Sequence, residues 1–291
     1  MPEISAKSPQ GGSNEPPLYA PETGFSLFLK LFIVPAGIVA VALGIFLLGT
    51  FALQHPKTAG QYLQELKSDS TERRWQAAFE LSRMLSQGEK IKFDDKLRAD
   101  LVQSFVDAKK DDPRIREYLA LVLGNLKEKS AVPALSEAVH DESNDVKIYS
   151  LWALGNIEDP AGGPAALVGL SDPDPAVKRM AVGALSSLRY APAKNDLRAN
   201  LESSNQAIRY DSAVALARLK DEKSVPVLKE MMRLKAEGKP GDEIIQSAKL
   251  AAIEGAKELN NSTLREQVKL LSGSDEPDLK VRAAALQTLK N

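Results

Sequence analysis

No cysteine occurs anywhere in the 291 residues. That excludes disulfides, thiolate metal sites, a cysteine nucleophile and a lipidated N-terminal cysteine. It does not fix the compartment, since a cysteine-free chain is at home on either side of a membrane. Histidine is almost as scarce: His55 and His140 are the two, far apart and without a partner at ligand spacing. A strong charge of either sign is also missing, with 38 Lys and Arg against 39 Asp and Glu and a net charge of -1. Bulk charge therefore gives no footprint for nucleic acid. The Gly162-Gly163 pair is not followed by the Lys-Ser/Thr that a phosphate-binding loop needs. Carboxylates stand where helix caps and solvated faces use them, and no catalytic, cofactor-binding or metal-ligating constellation emerges. Neither a small-molecule substrate nor a cofactor is expected.

What the chain does hold begins near its N-terminus. Residues 1–24 are rich in Pro, Gly, Ser and Glu, with too little apolar surface to offset the entropy of ordering, so a disordered tail is expected. The stretch from Leu31 to Leu53 then carries no charge at all. At about 1.5 Å per residue its length as a helix exceeds the roughly 30 Å of bilayer hydrocarbon. The long acidic tail and the lack of a small-x-small site argue against a cleaved signal. Residues 25–53 are thus expected to form an interfacial segment and a single transmembrane helix, in contact with lipid over 31–53. Lys30 would snorkel to the interface, and Pro35 would kink the entry or mark the helix start. Ala36, Ala40 and Gly44 fall at i, i+4 and i+8, a small-residue face suited to close helix association. Lys57, Lys67, Arg73 and Arg74 follow the segment, against Lys7 and Lys30 before it. The excess places the C-terminal domain on the cytoplasmic side. Residues 54–69 read as a juxtamembrane linker with a short helix.

Beyond it lies a period. Ile115, Val146, Val177 and Ile208 stand at equal intervals. Arg116, Lys147, Lys178 and Arg209 keep the same interval, as do Leu123, Leu154, Leu185 and Leu216. A period in this range means stacked supersecondary units. Each unit opens on an N-cap type, Asp112, Ser143, Asp174 or Asn205, and Pro113 and Pro175 follow at the first helical position. Second helices begin near Ser130, Ala161, Pro192 and Ser224. The column Leu81, Leu123, Leu154, Leu185, Leu216 and Leu289 is the expected core, and Trp152 is placed there too. Trp75 is expected to be partly exposed. The basic column of Arg74, Arg116, Lys147, Lys178, Arg209 and Arg282 is assigned to a structural ladder with loop aspartates such as Asp112, Asp145 and Asp174. Near Asp242 to Ser272 the pattern degenerates, with Gln246 at the basic place and Lys249 where a small residue belongs.

The segment Val-Lys-x-x-Ala-x-x-Ala-Leu-x-x-Leu (Val177 to Leu188), after Asp-Pro-Asp-Pro, resembles the HEAT-like repeat, in the short form named after phycocyanobilin lyases. Gly124 to Leu126 and Ala131 to Leu135 fit the same consensus. The resemblance covers about Ser70 to Asn291 and implies an all-α α-solenoid of about six and a half helical pairs over residues 70–291. It also implies a scaffold for protein partners, here anchored beside membrane-associated ones as an accessory factor, assembly factor or integral subunit of a membrane complex. If second helices line the binding face as in the family, His140, Arg198, Glu202, Lys229 and Arg233 meet the partner. The alternative is an enzyme of the bilin lyase type on the same scaffold, but scaffold does not carry function, and no enzyme is expected.

Overall fold

The computed structural model describes residues 25, 28–53, 57–88, 93–236 and 242–290. The expectations for the 1–24 tail, for His55, for the Lys30 side chain and for the centres of the 86–92 connector and the 235–241 loop fall outside the described residues. The chain divides into two compact units, Met1–Lys57 and Thr58–Asn291.

In the first unit, Leu29–Ile33 forms one π turn that leads into helix α1, Val34–Leu53. The switch occurs at Pro35, which has no N–H to give to the preceding turn. Leu31–Leu48 is long and apolar enough to cross a membrane, and none of it is buried. Ala36 and Ala40 are exposed and Gly44 half-buried. A side chain built on Gly44 would meet nothing within 4 Å.

The second unit is helical throughout its described residues. Helix α2, Ala59–Leu66, opens with a reciprocal cap between Thr58 and Gln61. It buries Ala59, Leu63 and Leu66 against helix α3. Helical pairs follow: α3 (Thr71–Ser86) with α4 (Asp95–Asp107), α5 (Pro113–Asn125) with α6 (Val132–Ala138), and α7 (Asn144–Ile157) with α8 (Gly163–Gly169). They continue with α9 (Pro175–Ser187) and α10 (Lys194–Ala199), α11 (Gln206–Arg218) and α12 (Val225–Met232), then α13 (Asp242–Leu259) and α14 (Ser262–Leu271). Helix α15, Leu279–Lys290, is a first helix of the same kind. First helices pack on first helices along the whole row, from α3 to α15. One buried cluster runs unbroken from Ala59 to Ala285. A single pair could not bury its apolar face alone, so each borrows a wall from its neighbours.

The caps explain where the first helices begin. Side chains of Ser70, Asp112, Ser143, Asp174 and Asn205 accept backbone N–H groups of the first turn. Each of these bonds satisfies a donor the helix cannot satisfy itself. The leucine column is buried at Leu81, Leu123, Leu154, Leu185 and Leu216, each at most 1% exposed. Leu289 departs from the expectation and is half-buried. Trp152 departs as well. It is half-buried and lies over Gly124, where an added Cβ would come within 2.7 Å of its ring. Gly124 is what lets that ring lie against α5.

First helices end on a residue with left-handed backbone: Lys127, Glu158, Arg189 and Lys220, again evenly spaced, then Asn260. Glycine fills this place in the first pair, as Gly88 with φ 74°. Carbonyls of Leu123, Leu185 and Leu216 accept N–H groups from just beyond the left-handed residue, the bond that closes a Schellman turn. Asn260 also corrects the register of the sixth pair. Counted back from it, the basic position is Lys249 and not Gln246. Buried Lys249, Ala252, Ile253 and Ala256 then match the pattern of α11. The pair is regular, and its first helix starts several residues early.

Candidate interaction surface

Four basic residues of the column, Arg74, Arg116, Lys147 and Lys249, reach forward to the loop before the next first helix. Arg74 Nη2 donates to Asp111 Oδ1 at 2.9 Å. Arg116 pairs with Asp141, Lys147 Nζ with Asp172 at 2.9 Å, and Lys249 Nζ with Glu276 at 2.7 Å. The ladder therefore uses other acids than the expected Asp112, Asp145 and Asp174. Asp112 and Asp174 are committed to capping their own helices. Ladder acids also brace their own loops: Asp141 accepts from Ser143 N and Asp172 from Asp174 N, both at 2.9 Å. Burial works against the Asp172 charge, but the Asp174 N–H and the Lys147 ammonium outweigh it and hold its pKa low. Burial depresses the Arg116 pKa, with Asp141 opposing. Its guanidinium also lies over the Phe105 ring, 4.6 Å from the centroid. At Ser203 the acid is replaced by a hydroxyl, which keeps the loop bond from Asn205 N at 3.2 Å but offers Lys178 no carboxylate. Arg209 turns instead to Glu230 at 2.9 Å. Arg74, Arg116, Lys147 and Lys249 thus hold neighbouring repeats together and are consumed in doing so.

The five residues expected on the second-helix face sit at related places in the pairs. His140, Arg198, Glu202 and Arg233 are exposed and Lys229 half-buried. Arg198 is spoken for: its guanidinium lies 2.6 Å from Asp221 Oδ2, a carboxylate only 5% exposed that also caps the next turn through Lys223 N. Lys229 and Arg233 border an open groove of about 670 Å³ between α12 and α14, lined also by Val225, Pro226, Leu234 and Thr263. Arg233 Nε donates to Gln267 at 3.1 Å across it. A second cavity, about 480 Å³, lies at the other end of the array among Lys67, Asp69, Arg74, Asp100, Asp107 and Asp111. Among the described residues no group of His, Asp and Glu could hold a metal ion.

The first-helix face carries a feature that the periodicity alone did not point out. At its outward positions stand Trp75 and Phe79 on α3, Tyr118 and Leu121 on α5, and Ile148, Tyr149 and Trp152 on α7. Phe79 is 36% exposed, and its ring meets that of Tyr118 edge-on at 5.2 Å. Trp75 donates to Glu72 at 2.8 Å and carries the Arg114 guanidinium 4.4 Å above its ring. On α9 and α11 the same positions hold Arg179, Met180 and Gly183, then Tyr210, Asp211 and Val214. Tyr210 is buried and donates to Glu230 at 2.8 Å, so the outward aromatic row ends. Aligning outward rather than buried positions of each repeat would have revealed it.

A family model described as HEAT repeats matches residues 99–168 and 163–239. No curated protein sequence matches the chain. Among solved structures, the complex of CpcE and CpcF of phycocyanin lyase from Nostoc sp. PCC7120 is similar in fold. Its TM-score is 0.54 at 16% identity, covering 81% of this chain and 96% of that one. YibA of E. coli is similar at TM-score 0.50 and 17% identity, covering 80% and 92%. At such identities the likeness is one of fold. HEAT repeats are thus matched over residues 99–239, and the capped helical pairs on either side continue the same α-solenoid.

Proposed function

We propose that the chain is a membrane-anchored scaffold that binds protein partners beside the bilayer. The observation that carries this is the pairing of a HEAT array with α1, whose membrane-length apolar surface is wholly uncovered. In water that exposure is costly at about 25 cal/mol per Å², and lipid removes the cost. The array supplies extended surface without chemistry: its most regular charges are used internally. The division proposed is a tail at 1–24, an anchor at 25–53, a linker region at 54–69 and a solenoid at 70–291, with the solenoid on the cytoplasmic side. Close association of anchors through Ala36, Ala40 and Gly44 belongs to the same proposal. On the second-helix face, Lys229 and Arg233 beside their groove are the stronger contacts, with His140 and Glu202 around them. Arg198 serves mainly to hold Asp221.

The test is purification of the full chain in mild detergent, with quantitative mass spectrometry of co-purifying proteins. A defined set should be retained by the wild type and reduced by Lys229→Glu with Arg233→Glu. Extraction of the chain from membranes by alkaline carbonate would remove the anchor, and an unchanged partner set in the double variant would remove this face. A tightly bound chromophore, or its transfer to an acceptor protein, would favour the lyase alternative.

A further inference from the structure

The aromatic row on α3, α5 and α7 contains one occupied site that shows what the row holds. Arg114, two residues past its N-cap, lies over the Trp75 ring at 4.4 Å. It is gripped at its edge by Asp112, with Arg114 Nη2 2.6 Å from Asp112 Oδ2. Ring face plus carboxylate is the combination that favours a guanidinium. One repeat further on, the rings are Tyr118 and Tyr149 and the nearby carboxylates are Glu117 and Asp145. The place that Arg114 fills on α5 is Asp145 on α7, so this site brings a second acid instead of its own cation. Burial pushes the half-buried Glu117 carboxyl upward in pKa, and Asp145 and Asp112 add to it, while Arg114 opposes. Tyr149 is raised too, by burial and then by Asp145 and Glu117.

We infer that the first-helix face around Tyr118 and Tyr149 receives an arginine side chain from a protein partner, stacked on the tyrosine rings and paired with Glu117 and Asp145. Flanking Leu121, Ile148 and Trp152 supply apolar surface for the residues beside that arginine. The acids disfavour both an anionic lipid surface and a second copy docked by the same face, since each would add like charge. This face is separate from the groove at Lys229 and Arg233, and the inference does not depend on the anchor.

The chain has two tryptophans, and both, Trp75 and Trp152, lie in this row, so intrinsic emission reports on the face directly. The full chain in zwitterionic nanodiscs would be titrated with a capped hexapeptide of alternating leucine and arginine. The same peptide with glutamate for arginine, and nanodiscs lacking the chain, serve as controls. A saturable change in emission with the arginine peptide alone is expected. Its Kd should rise at least fivefold in Glu117→Gln/Asp145→Asn, which leaves the rings in place, and stay unchanged in Lys229→Glu/Arg233→Glu. No response, an equal response to the glutamate peptide, or an unaltered Kd in the acid-neutralised variant would overturn the inference. An emission change on adding phosphatidylglycerol vesicles but not the peptide would assign the face to lipid and overturn it as well.

Discussion

The ladder makes a demanding prediction at Arg116. This residue is 4% exposed, its side chain is paired with Asp141, and it is otherwise faced by the Phe105 ring. Replacing Asp141 by alanine leaves a buried guanidinium without its direct partner, with only the exposed Glu137, itself paired with Lys109, acting on it from nearby. Breaking a buried pair from one side costs roughly 3–5 kcal/mol. The Asp141 side chain is 15% exposed, so water entering its place draws the value toward the lower end, about 3 kcal/mol. Loss of the bond from Ser143 N adds about 1 kcal/mol. Arg116→Met/Asp141→Asn should recover most of this, because a neutral pair removes the buried charge, and asparagine still accepts from Ser143. Urea titration of the full chain in detergent would measure the totals. Hydrogen exchange by mass spectrometry would localise them, since a repeat array need not unfold in one step. Faster exchange should concentrate in α5, α6 and α7. A cost below about 1 kcal/mol for Asp141→Ala, or a double variant no better than the single one, would show that the ladder does not couple the repeats.

Leu185→Ala, at a fully buried site, should cost about 2–5 kcal/mol and raise exchange most in α9 and its neighbours α7 and α11. Lys127 is left-handed at φ 49°. Lys127→Gly should be neutral to mildly stabilising, whereas Lys127→Val should lose about 1–2 kcal/mol; equal urea midpoints for the two would refute the strain argument. Glu258 is held below its ordinary pKa first by Arg189 and then by Lys220. Its folded value being depressed, its contribution is present above the unfolded value near 4.5 and fades as pH falls through the lower folded value. In Glu258→Gln the stability loss between pH 7 and pH 3 should accordingly be smaller than in wild type, as read by thermal midpoints.

The buried half of this fold was legible because burial is periodic. The Ile/Val, Leu and N-cap columns all repeat at one interval, as each repeat must offer its neighbour the same wall. The ladder's existence followed from the same period, but its partners did not. Asp112 and Asp174 lie nearest in sequence and are taken by backbone N–H groups. The acids that answer, Asp141 and Asp172, lie 25 residues beyond their cations. Only the stacking of helices brings them into reach. The sixth pair was misread for a related reason. Counting from its apparent start trusted a helix that begins early, whereas the left-handed Asn260 at its end fixes the register. Turn positions occupied by Lys, Glu, Arg and Lys carry no glycine to announce them.

Outward positions are where this array stops being generic. Structure constrains a buried leucine in every repeat, so its recurrence says nothing about a partner. The outward sites are free to vary, and in three successive first helices they hold Trp75, Phe79, Tyr118, Tyr149 and Trp152. On α9 and α11 they hold Arg179, Met180, Gly183, Asp211 and Val214, and the one aromatic, Tyr210, is buried with its hydroxyl on Glu230. Glu117 sharpens the point. Its raised pKa means that the folded state disfavours the charge, so at neutral pH the carboxylate works against stability. Glu117→Gln should therefore stabilise the chain at pH 7 and have little effect at pH 3, below the unfolded value of about 4.5. That is the reverse of Glu258→Gln. A carboxylate that opposes folding, set among tyrosines and close to Asp145, which stands where the preceding repeat holds Arg114, makes sense if a cation from a partner completes it. Should Glu117→Gln destabilise the chain at pH 7, the carboxylate would be satisfied within the fold, and the case for an incoming arginine would fail with it.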